Sequence, residues 1–385
     1  MTSKQFVFRF LGVCLFLLAI IGAFNRIVDP FWYYRDIEIK GFNEIKTKFR
    51  RYERDVKPAL LMREQPEAII LGDSYAEIGF DSNNPYFTNH GQLKSMNFAL
   101  AGAPWQMIQC EFEFAVTHVH IKRALIDIHP ENTLPMADCA KDFASIGQVS
   151  VSELLFSSRS LIASIQTIAG QGKETPSHTR EGMYFYTRGT AGVDKRFREE
   201  FAKQTKGKPA CLQAADTAYE IPPALTESNL DLSGLKHLIK IANEHHVQLV
   251  LFAYPHHAYG LEVDQQCGNQ LARWQAMKQI AQLSEQSAKG SVAIWQFYGY
   301  NTITTEPIGD LATYWQDPAH FNFEMGNMML AEMFNETGNS PTKLGRLITS
   351  KHLDEDYQDF LHQRAEYLQH NPEFQVNLQK LLIHK

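Results

Sequence analysis

The sequence predicts an α/β protein: a three-layer α/β/α sandwich around a five-stranded parallel sheet, behind an N-terminal transmembrane helix. Short apolar runs recur along the chain at strand length, and helical patterns separate most of them. Ahead of them lies one much longer apolar stretch near the first residue. Composition agrees with a packed protein. Of 385 residues, 44% are hydrophobic and 21% charged, which excludes a disordered chain. The formal net charge of −6 argues against a general nucleic-acid binder, which carries a basic stripe.

Phe6 to Phe24 is apolar except for Arg9. About 20 apolar residues cross a bilayer as a helix, so residues 1–28 read as a membrane anchor. Lys4 and Arg9 lie before its core and Arg26 is followed by Asp29, a mildly positive-inside bias. The rival reading is a cleaved signal peptide, but Ile21-Gly22-Ala23 offers no Ala-x-Ala cleavage pattern. The expected location is a bacterial-type inner (cell) membrane, crossed once, with the remainder extracytoplasmic or periplasmic. Residues 29–64 follow as a juxtamembrane stalk. Phe31, Trp32, Tyr33 and Tyr34 suit a membrane interface, and the basic cluster Lys46 to Arg51 reads as a solvated helix face.

The main domain is expected over residues 65–340. Strand candidates are Glu67–Leu71, Ser95–Phe98, Ala124–Ile128, Gln248–Tyr254 and Val292–Phe297, in a Rossmann-like alternation with helices such as Trp105 to Val119 and Leu235 to His246. The alternation breaks at an insertion over about 135–223. Val151, Leu154, Leu155, Leu161, Ile162 and Ile165 recur at helical spacing there, which predicts one amphipathic helix over Val151–Ala169. Tyr184, Phe185 and Tyr186 read as anchors of this insertion or as a carbohydrate platform. Residues 341–385 read as a helical tail. Outside the anchor, Cys110, Cys139, Cys211 and Cys267 allow three disulfide connectivities, and free buried thiols are an equal reading for Cys110.

Two segments carry chemistry. Ile69-Ile70-Leu71-Gly72-Asp73-Ser74 is an apolar run that ends on a glycine, an acid and a hydroxyl nucleophile. The carboxyl ends of parallel strands are where open α/β sheets hold ligands, so Ser74 is expected on that rim. Serine alone is a poor nucleophile; it needs a base in reach and a group that fixes the base's tautomer. Asp317-Pro318-Ala319-His320 supplies both, three residues apart, as one helical turn would present them. His256 and His257 follow the fourth strand on the same rim, where one can touch substrate or replace His320. Adjacent histidines point apart, so no metal site is expected, and no cofactor motif is present.

This constellation resembles the SGNH (GDSL-type) hydrolase family. Gly72-Asp73-Ser74 matches its first motif, Asn97 to Pro104 its second, and Asp317 to His320 its last. The resemblance covers roughly Glu67 to Phe334 and implies an SGNH/flavodoxin-like sheet. It implies Ser74 as nucleophile, His320 as base, Asp317 as orienting acid, and the Ser74 and Gly102 amides as oxyanion donors; Asp73 and Asn132 are read as candidate substrate contacts. The family's third motif places an asparagine after the next strand. Here Asn132 is the nearest, at the wrong spacing, and losing one oxyanion donor costs about 2.7–4 kcal/mol of transition-state stabilisation. An anchor followed by this domain looks like the membrane-anchored SGNH proteins of teichoic-acid D-alanylation and polysaccharide O-acetylation. That implies a serine esterase or acyltransferase acting on acyl groups of a glycan, with a membrane-embedded acyltransferase as partner. The alternative is a catalytically silent scaffold of the same fold that binds glycan or the acyltransferase.

Overall fold

A computed structural model describes residues 2–130, 132–143, 146–147, 149–185, 193–204, 230–287, 292–309, 312–335 and 343–383. In chain order, the N-terminal part runs α1 (Ser3–Val28), α2 (Phe49–Glu64), β1 (Ala68–Leu71), α3 (Ser74–Gly79), β2 (Ser95–Asn97), α4 (Trp105–His118) and β3 (Arg123–Asp127). The middle holds α5 (Cys139–Asp142), α6 (Val151–Phe156), α7 (Ser158–Gly170), α8 (Val193–Gln204), α9 (Ser233–Glu244) and β4 (Gln248–Ala253). The remainder comprises α10 (Ala258–Gln266), α11 (Asn269–Glu285), β5 (Val292–Gln296), α12 (Phe323–Phe334), β6 (Arg346–Leu347), α13 (Leu353–His370) and α14 (Glu373–Ile383). The chain divides into two compact units: residues 1–65 with 144–187, and residues 66–143 with 188–385.

In the larger unit, six strands form one sheet in the order β2-β1-β3-β4-β5-β6. The sheet therefore has six strands, not the expected five. The addition is β6, two residues paired antiparallel to β5 through Trp295–Leu347 and Gln296–Arg346. A two-residue strand carries no alternation or apolar run to read. The other five are parallel and match the sequence expectation within a residue at each end. Every residue of β1 and β3 is buried, as strands covered on both faces require. On one face, Ile70, Leu125, Val250 and Phe252 pack with Phe80 of the α3 end and with Met325, Met329 and Leu330 of α12. Cys110 of α4 and Cys139 of α5 form a disulfide, with Cα atoms 5.4 Å apart. Cys267 is also disulfide-bonded, while Cys211 lies outside the described residues.

The chain leaves β1 for β2 on one side and returns to β3 on the other. Such a reversal opens a crevice at the carboxyl ends of the strands. Ser74 follows β1 there, His129 follows β3, and Tyr254 follows β4.

In the smaller unit, α1 is the one described helix long and apolar enough to cross a membrane, with only Gly22, Asn25 and Val28 buried. A helix end leaves carbonyls without partners. Here Asn43 donates its Nδ2 to the Ile27 and Val28 carbonyls (2.9 and 3.3 Å), and Lys46 donates its Nζ to that of Val28 (2.9 Å). Lys46 is thus no solvated face: it is buried, and burial pushes its pKa down to about 8. Phe31 and Trp32 are equally committed, packing edge-on against Tyr52 and tilted against Phe49 inside the unit rather than presenting to an interface. Tyr184 lies over the Arg50 guanidinium, 4.4 Å from it, and so anchors its segment; Tyr186 falls outside the described residues.

Candidate active site

The turn from β1 into α3 is built around Gly72. Its φ of 146° lies where only glycine is comfortable, and a Cβ there would stand 2.4 Å from Asp127 Cγ. Asp73 caps α3 by accepting from the Tyr75 N–H (2.9 Å), and Ser74 is the first residue of the helix. Capping of this kind fixes where the helix starts, and hence where the Ser74 hydroxyl points.

Ser74 Oγ lies 2.8 Å from His320 Nε2. His320 Nδ1 in turn lies 2.8 Å from Asp317 Oδ2 and 3.0 Å from Oδ1. Asp317 is fully buried, and its Oδ1 accepts the Ala319 and His320 backbone N–H groups at 2.8 and 2.9 Å. Burial works to raise its pKa, but the His320 bond and the two backbone donors hold it below the usual carboxylate value. An ionised Asp317 places the imidazole proton on Nδ1, which leaves Nε2 free to accept from Ser74. The pair does not sit on a helical turn. Asp317 to His320 form a tight loop closed by a Trp315–Phe321 bridge, with Gln316 N–H donating to the His320 carbonyl (2.8 Å), and α12 starts only at Phe323. Pro318 and the Asp317 carboxylate, which bonds the loop's own amides, favour this turn over a helix.

Gly102 lies on the loop after β2 with φ 71°, again a glycine conformation. That loop is held beside the β1 turn because Leu100 N–H donates to the Gly72 carbonyl (3.0 Å) and Ala101 N–H to Glu77 (2.9 Å). Asn97 closes α3 from below, donating to the carbonyls of Ala76 and Phe80 at 3.0 Å each. Asn132 is exposed, its backbone N–H turning back to the His129 carbonyl.

At the end of β3 the crevice holds two groups, Asp127 and His129, to which the sequence analysis assigns no role. Asp127 is fully buried, its Oδ2 accepting the Asp73 backbone N–H (3.0 Å). Burial first, and the neighbouring Asp73 charge second, push its pKa well above the ordinary carboxylate value. Asp73 resists its own burial because His129 Nε2 stands 3.2 Å from Oδ2, and its pKa is lowered. His129 Nδ1 meets the Tyr254 hydroxyl at 3.1 Å. The signal was present: an Asp-x-His at the carboxyl end of the strand beside β1.

Aromatic rings tie these groups together. Tyr75 stacks on His320 (centroids 5.1 Å) and on Tyr254 (3.6 Å), and Tyr254 stacks on His256 (4.9 Å). His256 thus belongs to the column under the site. His257 is turned away from it. Fully buried, it accepts from the Tyr259 N–H as the cap of α10, its Nε2 lies 2.9 Å from the Glu306 carbonyl, and burial lowers its pKa to about 4. Asp73, Asp127 and His129 present ligand atoms within 4.8 Å of one another, with the Asp73–His129 contact and the Asp73 N–H bond to Asp127 engaging part of them.

Chemically, the arrangement can deprotonate a hydroxyl at Ser74 and hold the resulting imidazolium against a buried carboxylate. No protein-family model matches the chain, and no curated protein matches its sequence.

Proposed function

We propose that the protein is a membrane-anchored serine esterase or acyltransferase of SGNH type, acting on O-acyl groups, acetyl first among them, of a cell-envelope or secreted glycan. The observation that carries this reading is the unbroken chain from Ser74 Oγ through His320 to buried Asp317, with both links at 2.8 Å. A binding module has no need of a buried carboxylate aligned behind a histidine and a hydroxyl. The position of Ser74 at the sheet's reversal, with helices on both faces, fits the three-layer SGNH/flavodoxin-like arrangement.

In this reading Ser74 Oγ attacks the acyl carbonyl while its proton passes to His320 Nε2. The carbonyl oxygen takes the negative charge and faces the Ser74 and Gly102 N–H groups. Collapse of the tetrahedral adduct breaks the ester C–O bond, and His320 returns the proton to the departing sugar oxygen. The acyl-Ser74 ester then goes to water in an esterase, or to another sugar hydroxyl in a transferase, His320 deprotonating either acceptor. Asp127 and His129 lie at the end of β3, the strand after which the resemblance would place the third-motif asparagine. α1 supports an anchored protein, and the positive residues before its apolar core favour an extracytoplasmic or periplasmic domain. A membrane-embedded acyltransferase is the partner such an anchored transferase would draw its acyl group from.

The test compares the full-length protein in detergent with its Ser74→Ala form. Each is incubated with an activated acetyl ester while acetate release and intact mass are followed. Serine-dependent release, or an added acetyl mass that vanishes in Ser74→Ala, supports the reading; identical behaviour of the two proteins overturns it in favour of a scaffold.

A further inference from the structure

α7 is inside out for a helix of a water-soluble domain. Its buried residues are Ser160, Ala163, Ser164, Thr167 and Gly170, all small and three of them hydroxylated. Its large apolar residues face outward: Ile162 is 49% and Ile165 53% exposed. The neighbouring α6 buries Leu154 but leaves Val151 48% and Phe156 46% exposed. An amphipathic helix beside water buries its apolar stripe. Small and polar residues between helices, with apolar ones outside, is how helices pack where the surroundings are lipid.

What the polar side meets is the end of α1. Ser164 donates its hydroxyl to Asn25 Oδ1 (2.8 Å), and Asn25 donates its Nδ2 to the Leu155 carbonyl (2.7 Å). The Phe156 ring lies so close to Gly22 that a Cβ there would be 2.5 Å from it. α1 itself carries exposed Leu17, Leu18, Ile20 and Ile27, so the outward apolar residues of α6 and α7 continue an apolar surface already present on that helix. Counting about 20 residues, or about 30 Å, from Phe6 brings the helix to Asn25. The contacts with α6 and α7 therefore fall where the hydrocarbon region ends.

We propose that α6 and α7 form an interfacial hairpin whose Val151, Phe156, Ile162 and Ile165 side chains sit in the acyl chains of the leaflet at the carboxyl end of α1. The occupant of this face is bilayer lipid, argued from its continuity with α1. The proposal rests on the reading of α1 as a membrane span. It gives the protein a second grip on the bilayer, which fixes the tilt and rotation of the smaller unit against the membrane plane, as interfacial anchors do.

The experiment uses the full chain with Cys14→Ala, its disulfides left intact, in phosphatidylcholine–phosphatidylglycerol vesicles. Single cysteines replace Ile162, Ile165, Leu17 as a reference within the span, and Lys173 as an exposed polar reference. Each carries an environment-sensitive fluorophore, challenged by lipid spin-labelled near the headgroup end of its acyl chain and, separately, by aqueous iodide. Labels at 162 and 165 should be quenched by the lipid several-fold more than the label at 173, and little by iodide. Iodide quenching at 162 and 165 with lipid contact at 17 overturns the hairpin and spares the span. Loss of lipid contact at 17 overturns the span and the hairpin together. Shielding from both quenchers, with cross-linking between copies at 162, assigns the face to a second copy and also overturns the proposal.

Discussion

The ring of Tyr75 lies 5.1 Å from that of His320, at an interplanar angle of 25°. The residue immediately after the proposed nucleophile is therefore the shelf on which the proposed base rests. Asp317 restrains the imidazole only through Nδ1, and rotation about that bond would carry Nε2 away from Ser74. Stacking against Tyr75, itself 3.6 Å from Tyr254, opposes that rotation.

Replacing Tyr75 should separate support from chemistry. Tyr75→Phe keeps the stacking face, so kcat on an activated acetyl ester should stay near wild type. Tyr75→Ala removes the shelf, and kcat should fall by about 10- to 100-fold with little change in KM, as misplacement of a reacting group predicts. Equal loss in both variants would assign the effect to the hydroxyl rather than to the ring.

Asp317→Asn keeps the shape of the buried loop but forces the wrong imidazole tautomer. Turnover should drop by about four orders of magnitude if the triad logic holds. The same ester assay measures it, and circular dichroism checks that the loop change leaves the fold intact. A loss under tenfold would remove Asp317 from the role of orienting acid.

Asp127 gives a prediction about stability. Its pKa in the folded protein is raised above the unfolded value, so its stabilising effect is complete in acid and is lost as pH rises from about 4 toward that raised pKa. Asp127→Asn presents a similar shape without the titration, still accepting the Asp73 N–H and now donating to Asp73. Wild type and variant should melt alike near pH 4, and the variant should melt higher at pH 7.5. A variant that melts lower at pH 7.5 would mean Asp127 is ionised there.

Much of the larger unit was legible because a parallel strand covered on both faces is a continuous apolar run. Ile69 to Leu71, Ala124 to Ile126 and Leu249 to Ala253 read that way directly. Ser74, Asp317 and His320 were legible because serine chemistry restricts which residue types can serve. Asp127 and His129 were less legible, because the motif expects an asparagine there and an acid ending an apolar run reads first as a turn. The Asp317 turn was misread as helical, since spacing of three fits both geometries. Periodicity located α7 but could not say what lay on either side of it. It also ran α6 and α7 together, although Ser157 ends one and caps the other. Lys46 looked like surface because a charge run says nothing of the carbonyls one lysine will find.

His257 supplies the clearest pH prediction away from the proposed triad. Burial lowers its pKa to about 4 from an unfolded value of 6.5. Below about pH 6.5 the unfolded chain takes up a proton that the folded protein refuses, so stability is full above that value and falls as pH drops toward 4. For a fully buried group the loss over that window is about 3 kcal/mol. His257→Asn does not titrate, and its side-chain oxygen can still accept from the Tyr259 N–H as the cap of α10. It gives up the contact with the Glu306 carbonyl, which should cost about 1 kcal/mol at pH 7.5. Chemical denaturation at pH 7.5 and pH 4 should therefore show the variant weaker at neutral pH and closing on, or passing, wild type in acid. Parallel losses in the two proteins would mean that His257 is free to charge, and that acid unfolding begins elsewhere.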